Sequence, residues 1–219
     1  RAQLQKQMTQ LWGKISEVDK LNNMLTDAQL SLRQKNRALL AANATLRQQS
    51  EMLKELAYLD SLTNLPNRRW MEEHLEKKIR DERTANQHFH VIYVDFDHFK
   101  RINDQLGHQG GDEALHYLGQ RLQASIHPAD AVGRLGGDEF LILVNRHLPC
   151  QDMERYMAEI RENVGSELVV RGHSFVFSAS LGSASFPEDG LEVKQLINVA
   201  DSRMYENKPA DTRDQAVNE

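Results

Sequence analysis

The sequence predicts an α/β domain preceded by a long coiled coil. Two observations carry this assignment. An unbroken seven-residue apolar repeat runs through the first 57 residues. After it, short β-rich runs alternate with amphipathic stretches over about 150 residues, the pattern of a layered α/β fold.

Residues 1–65 contain no proline and a single glycine, Gly13. With Leu4 at heptad position d, the series continues Leu11, Val18, Leu25, Leu32, Leu39, Leu46 and Leu53, all apolar. The a series is Met8, Ile15, Asn22, Gln29, Asn36, Asn43, Ser50 and Ala57, apolar at first and then polar. A sustained period of seven specifies a left-handed coiled coil, and Leu at d with Asn at a favours a parallel pair. Polar layers from Asn22 to Asn43 exceed what register needs, so the middle of the coil is expected to be weak. At 1.5 Å per residue the helix would be roughly 80 Å long. A leucine-zipper DNA reader needs a dense basic region just upstream, and residues 1–20 supply only Arg1, Lys6, Lys14 and Lys20.

Beyond Ala57 the stretch Asp60-Ser-Leu-Thr-Asn-Leu-Pro-Asn-Arg-Arg69 is rich in turn formers, and Asn67 is placed to cap a helix over 68–83. Residues 90–96 read as a buried strand. Residues 100–103 read as helical, Gly110-Gly111 as an interruption, and 112–125 as a second helix. Strands follow at 131–135 and 140–144, a helix at 153–163, strands at 168–170 and 175–181, and a last helix at 191–207 that Pro209 stops. The domain is thus expected over 58–209, after a coil over 1–57 and before a polar tail over 210–219.

Composition narrows the function. One cysteine, Cys150, excludes a disulfide framework and a cysteine-built metal site. No 18-residue apolar run is present, so no membrane segment is expected. The chain opens on Arg1 with no basic and apolar leader, and reads as a fragment or processed chain without a signal peptide. Residues 1–59 carry a net charge of +4 and residues 60–219 one of −9. A domain so acidic repels a polynucleotide, so no nucleic-acid partner is expected, but it can hold a nucleotide where a cation neutralises the site.

Two acidic clusters carry the chemistry. Asp95 ends an apolar strand, where an unpaired buried carboxylate is costly; it either caps the next turn or holds a cation. Gly136-Gly137 between two apolar runs reads as a two-residue hairpin turn, followed by Asp138 and Glu139. Glycine there would let a phosphate approach the backbone, although the turn alone could equally be a solvated hairpin. If the two strand ends adjoin, Asp95, Asp138 and Glu139 converge. Three such acids repel one another, and a hard divalent cation would relieve them. That is the arrangement of two-metal phosphoryl transfer, with Lys100 nearby to neutralise charge on the phosphates.

Gly136-Gly137-Asp138-Glu139-Phe140 resembles the signature of the GGDEF family of diguanylate cyclases, and the resemblance extends over about residues 56–208. Asp60 to Arg69 resembles the family's entry motif, with Asn64 where glycine is usual. Asp95-Phe-Asp-His-Phe-Lys-Arg-Ile-Asn-Asp104, then Gly107-His108 and Gly111-Asp112, resemble its metal- and base-binding stretch. Ser180-Leu-Gly182, Phe186 to Gly190, and Ala200-Asp201 through Tyr205 and Lys208 resemble its late strand, turn and last helix. The resemblance implies a palm-like nucleotidyl-cyclase fold, α/β (α+β), with a mostly antiparallel sheet flanked by helices. It implies condensation of two GTP into cyclic di-GMP with release of two pyrophosphates. Asp95, the Phe96 carbonyl, Asp138 and Glu139 would hold Mg²⁺, with Mn²⁺ an alternative, and Asp138 would take the proton of the attacking ribose hydroxyl. Lys100 would stabilise the transition state. Phe99, Asn103, His108, Asp112, Gly137 and Lys208 would contact GTP, Asn103 and Asp112 through guanine.

Two positions depart from the family. Its product-inhibition motif is Arg-x-x-Asp; here it is His127-Pro-Ala-Asp130. Neutral imidazole cannot make the bidentate contact of a guanidinium, so weak or absent product inhibition by this route is expected. After Lys208 the usual glycine, arginine and asparagine are replaced by Pro209-Ala-Asp-Thr-Arg213, where Arg213 stands one position late. The product is two-fold symmetric, so two half-sites must face one another, and a homodimer joined through the coil and the catalytic faces is expected in the cytoplasm. The competing readings are a cyclase-like module that binds GTP or cyclic di-GMP without turnover, and an interaction protein whose function is the coil.

Overall fold

In the computed structural model, residues 2–85 and 88–209 are described. The elements in chain order are α1 (Ala2–Tyr58), α2 (Arg68–Ala85), β1 (Phe89–Phe96), α3 (Phe99–Ser125), β2 (Ala131–Gly136), β3 (Glu139–Val144), α4 (Cys150–Val164), β4 (Glu167–Val170), β5 (His173–Val176), β6 (Ala179–Phe186) and α5 (Val193–Glu206). The chain divides into two units, residues 1–54 and 55–219. Arg213 and the polar tail over 210–219 lie outside the described residues.

The first unit is part of one continuous helix. At its described d positions Leu11, Val18, Leu25, Leu32, Leu39, Leu46 and Leu53 all stand exposed. A stripe of leucine in water is the surface a coiled-coil partner covers. None of the described helices is long and apolar enough to cross a membrane.

The second unit is built on a four-stranded sheet of order β2-β3-β1-β6, antiparallel throughout. All eight residues of β1 are buried because it is central and covered on both faces. Side chains alternate along it. Phe89, Val91 and Tyr93 pack with Met71, Leu75 and Ile79 of α2 and with Leu196, Ala200 and Met204 of α5. Ile92, Val94 and Phe96 pack with Ile102, Leu115, Leu118 and Leu122 of α3 and with Met153, Tyr156 and Ile160 of α4. Asn67 caps α2 as expected: its Oδ1 accepts the Trp70 N–H at 3.0 Å. The close approach of α5 to β6 depends on Gly182, where a Cβ would collide with the backbone of Ala200, Arg203 and Met204.

Three expected details differ. The expected interruption falls at Gly107 (φ 70°, ψ 175°) and not at Gly110-Gly111: the two helical segments of α3 meet there, and the second runs to Ser125. Gly110 and Gly111 are buried and helical, and a Cβ at either would strike Leu106 or the Asn103 side chain, so these glycines serve close packing. The strand expected over 175–181 is two strands, β5 and β6, broken at Phe177-Ser178; Ser178 turns aside to hydrogen-bond Asp97. The hairpin turn is shifted by one residue, because Gly136 pairs with Glu139 after a bulge, which leaves Gly137 and Asp138 at the tip.

The two ends of the sheet differ in chemistry. One carries Asp95 opposite Glu139 and Ser180. The other carries His90, which is buried. Its Nε2 accepts the Leu148 N–H at 2.9 Å, so its Nδ1 bears the proton and donates to Ser185 Oγ at 2.8 Å. His147 stacks at 5.7 Å between ring centroids. Burial first, and then His147, push the His90 pKa below its ordinary 6.5, while Glu188 and Asp189 act the other way. A lowered folded-state value means that the unfolded chain takes the proton first on acidification. Stability is therefore full above about pH 6.5 and declines as pH falls through the window between the two values. His90→Gln is expected to flatten the loss of melting temperature between about pH 7 and pH 5, measured by thermal melts in matched buffers. A variant that loses as much as the parent chain would contradict this assignment.

Candidate active site

The site lies where β1 and β3 end side by side. Asp95 is the penultimate residue of β1, and its register partners are Glu139 on β3 and Ser180 on β6. The side chain of Asp95 is nearly buried and is met by Lys208, which follows α5: Nζ lies 3.0 Å from Oδ1, with the two side chains 13% and 11% exposed. Asp138 stands half-buried at the hairpin tip. Burial, and next the charge of Asp138, push the Asp95 pKa up to about 6 against the pull of Lys208. The Asp138 pKa is likewise raised, chiefly by burial, with Lys208 and Arg134 opposing and Asp97 adding to the rise. The charge of Asp138 thus reaches Asp95.

Glu139 takes a different course. It hydrogen-bonds Tyr93, and Arg68 Nη2 lies 3.7 Å from its carboxylate. Burial and Glu139 together push the Tyr93 hydroxyl pKa up. Among the described residues no three His, Cys, Asp or Glu side chains group closely enough to hold one metal ion. The three acids share the strand ends, but Lys208 engages Asp95 and Arg68 approaches Glu139, so the repulsion that a cation would relieve is met by basic side chains. Two buried oxygen acids that oppose one another's charge still fit Mg²⁺ in type, since this ion takes one or two carboxylates together with phosphate oxygens.

The signature turn is held from behind. Arg134 Nη1 donates to both oxygens of Asp60 at 2.9 Å, and its Nε donates to the Gly137 carbonyl at 2.9 Å. Asp60 also accepts from the Thr63 N–H at 2.9 Å and the Thr63 hydroxyl at 2.8 Å. Burial alone would raise the Asp60 pKa, but these bonds hold it below the usual range. Asn67 joins the assembly: its Nδ2 donates to the carbonyls of Ala57 at 2.9 Å and Leu59 at 3.3 Å, while the Arg134 N–H donates to Pro66 O at 2.8 Å. The entry motif is thereby tied to the turn that carries Asp138. Gly137 is exposed at that turn with φ 53°, and a Cβ there would meet nothing within 4 Å.

The remaining expected residues occupy α3 and the β1–α3 turn. Phe96 ends β1 with its ring edge-on to Phe140, and Phe99 opens α3 buried. Lys100 is exposed on the first turn of α3. Asn103 is half-buried, and its amide lies against Gly111 across the Gly107 kink, which brings it near Asp112 although nine residues separate them. His108 and Asp112 are exposed. His127 and Asp130 are turn-forming residues. The His127 ring accepts the Ala129 N–H at 3.1 Å. The Asp130 side chain, 0% exposed, accepts from Tyr156 Oη at 2.8 Å and from the Asn145 N–H at 3.0 Å. Asp97 was not singled out from the sequence. It is 3% exposed and accepts from the hydroxyls of Ser178 at 2.6 Å and Ser180 at 2.7 Å. The signal that could have found it was a second aspartate two residues after Asp95, at the exit of a strand already too apolar to bury one.

Comparison with known proteins agrees with this geometry. A family model described as diguanylate cyclase, GGDEF domain, matches residues 57–214. The chain is 33% identical over 179 residues to MucR of Pseudomonas aeruginosa, a bifunctional diguanylate cyclase/cyclic di-GMP phosphodiesterase; the match covers 82% of this chain and 26% of that one. It is 34% identical over 163 residues to the diguanylate cyclase TpbB of the same species, covering 74% and 38%. The crystal structure of the coiled coil and GGDEF domain of DgcB from Caulobacter crescentus, in complex with cyclic di-GMP, superposes with a TM-score of 0.72 at 26% identity, covering 80% of this chain and 93% of that one. The chain spans well under half the length of either curated relative.

The Asp60–Arg134 pair is expected to couple strongly. In a double-mutant cycle of Asp60→Asn and Arg134→Lys, followed by urea unfolding at about pH 7, the coupling energy should be about 1–3 kcal/mol. A value below about 0.3 kcal/mol would show that the two side chains act independently.

Proposed function

The chain belongs to the GGDEF family of diguanylate cyclases, and we propose that it condenses two GTP into cyclic di-GMP with release of two pyrophosphates. The reading is carried by one observation: the signature turn and the end of β1 set Asp138 and Asp95 at adjoining strand ends, with Lys208 reaching the same place. A module that only binds nucleotide has no need of two mutually repelling buried acids, so the regulatory alternative is not favoured.

Asp95, the Phe96 carbonyl, Asp138 and Glu139 are the groups that would hold Mg²⁺ or Mn²⁺, with Glu139 exchanging its partners Arg68 and Tyr93 for the ion. The bound ion would supply positive charge against the triphosphate oxygens. Lys100 and Lys208 add fixed cations on either side of that charge, the first from α3 and the second from the end of α5. Asp138, exposed enough at the hairpin tip to touch substrate, accepts the ribose 3′-hydroxyl proton as the oxygen attacks the α-phosphate of the facing nucleotide and pyrophosphate leaves. Gly137 gives that nucleotide open space, and Phe99 and His108 flank it. Asn103 and Asp112, juxtaposed by the Gly107 kink, read guanine: a carboxylate accepts from N1–H and N2–H₂, which adenine does not offer as a pair.

One such site holds one nucleotide, and ring closure needs two. A parallel coil would keep a second chain at high local concentration, and its polar a layers would leave the pairing adjustable. Replacing Asn22, Gln29, Asn36 and Asn43 by Ile is expected to tighten the dimer and change turnover per dimer, read by sedimentation and pyrophosphate release. Unchanged values for both would remove the coil from the mechanism.

The direct test is chromatography of products after incubation with GTP and Mg²⁺. A guanine cyclic dinucleotide is expected from the parent chain, and Asp138→Ala should lower its rate at least about 100-fold. His127→Ala should leave the response to added cyclic di-GMP unchanged, since Asp130 is buried and His127 is committed to its own turn. Intact GTP after long incubation of a dimeric preparation would overturn the proposal.

A further inference from the structure

Asp97 stands outside the chemistry assigned above, yet few side chains in the domain are held so tightly. Its carboxylate receives the Ser178 hydroxyl on Oδ2 at 2.6 Å and the Ser180 hydroxyl on Oδ1 at 2.7 Å. Its own N–H donates to Ser178 O at 3.0 Å. Hydrogen bonds to an ionised acceptor are shorter and stronger than neutral ones, and here each carboxylate oxygen has its own serine donor. The two serines lie where β6 begins, and Ser180 is also the register partner of Asp95.

The next residue shows what this grip holds. His98 has φ 62° and ψ 21°, a left-handed conformation that costs a non-glycine residue about 1 kcal/mol, and no side chain caps the helix that follows. Such strain persists only where the surroundings over-determine it. The chain passes from the last strand residue, Phe96, to the first helical residue, Phe99, through Asp97 and His98 alone. Asp97 is therefore two residues from Asp95 on one side and three from Lys100 on the other. Its buried negative charge also stands against the ionised forms of Asp95 and Asp138. A neutral hydrogen-bonding residue would hold a turn without that conflict, so the strength of the two charge-assisted bonds is what the position uses.

We propose that Asp97 is a positioning residue for the triphosphate half of the nucleotide site: pinned between Ser178 and Ser180, it fixes the β1–α3 turn that sets Asp95 against Phe99 and Lys100. This rests on the GTP reading above. The guanine half is carried further along α3, by Asn103 and, beyond the Gly107 break, by Asp112, so the clamp acts on it less directly. Loss of the clamp lets His98 relax and the first turn of α3 shift against the end of β1. Triphosphate contacts then weaken more than guanine contacts.

The test compares two ligands on the full chain, a non-hydrolysable GTP analogue with Mg²⁺ and guanosine, each titrated by NMR, with thermal melts alongside. Asp97→Ala, and independently the double variant Ser178→Ala/Ser180→Ala, should weaken the analogue about tenfold and leave guanosine within about twofold. Asp97→Asn, which is neutral and can accept only one of the two serine hydroxyls, should recover little of the analogue's affinity. If either folded variant weakens guanosine and the analogue equally, or weakens neither, Asp97 is only a fold residue and the inference falls while the GTP reading stands. If the parent chain binds the analogue no better than guanosine, the GTP reading itself has failed.

Discussion

A carboxylate at the end of a central, doubly covered strand is the constraint around which the domain is arranged. β1 is buried along its whole length because helices lie on both faces of the sheet. Asp95 therefore leaves the core at the place where water is scarce, and the free energy of keeping it charged must come from neighbours. The neighbours come from distant parts of the sequence. The β2–β3 hairpin brings Asp138 and Glu139, β6 brings Ser180, and the turn after α5 brings Lys208. An antiparallel sheet with β1 in the middle is the economical way to gather these, since both flanking strands reach their site ends beside its C-terminus. The acids remain a source of tension even so, and the proposed cation and phosphate-bearing substrate would act on a site already poised between attraction and repulsion.

The second structural requirement is that Asp138, at the tip of an exposed turn, be held still. Glycines free of side-chain contact give the turn its shape but no rigidity. Rigidity comes from Arg134, whose planar fork spans Asp60 and the Gly137 carbonyl at once; a lysine, a point charge on a flexible stem, could not do both. Through Asn67 the same assembly reaches the carbonyls of Ala57 and Leu59 at the end of α1. These hydrogen bonds join the end of α1 to the signature turn within the second unit.

Much of this was legible in the sequence, and the limits have physical causes. The heptad of Leu4 to Leu53, the strand before Asp95 and the Asn67 cap are local patterns, set by periodicity and by one side chain meeting its own backbone, and local patterns survive tertiary context. Signals resting on glycine did not carry over unchanged. Gly110-Gly111 has the composition of a break but the role of a packing contact, because what decides it is the Asn103 side chain eight residues away. The Gly136-Gly137 turn moved by one residue because a bulge in β2 resets the register. The strand over 175–181 divided because Ser178 answers to Asp97, 81 residues earlier. Lys208 was marked as a phosphate contact and also proves to be the partner of Asp95, a pairing that only the folded path of α5 reveals.

The long helix raises the complementary question of why a strong apolar stripe is joined to a weak second seam. Leucine at d alone buries enough surface to bring two helices together, while Asn, Gln and Ser at a restrict how they may pair. A coil with apolar residues at both positions would be locked, and whatever it carried would be permanently assembled. A coil with neither would not associate. The combination in this sequence would give association without commitment, so that small changes in free energy at either end would shift the balance between arrangements. In the proposed reaction, which would proceed only when two half-sites face one another, that balance would set the rate, and the polar layers from Asn22 to Asn43 are where the sequence would tune it.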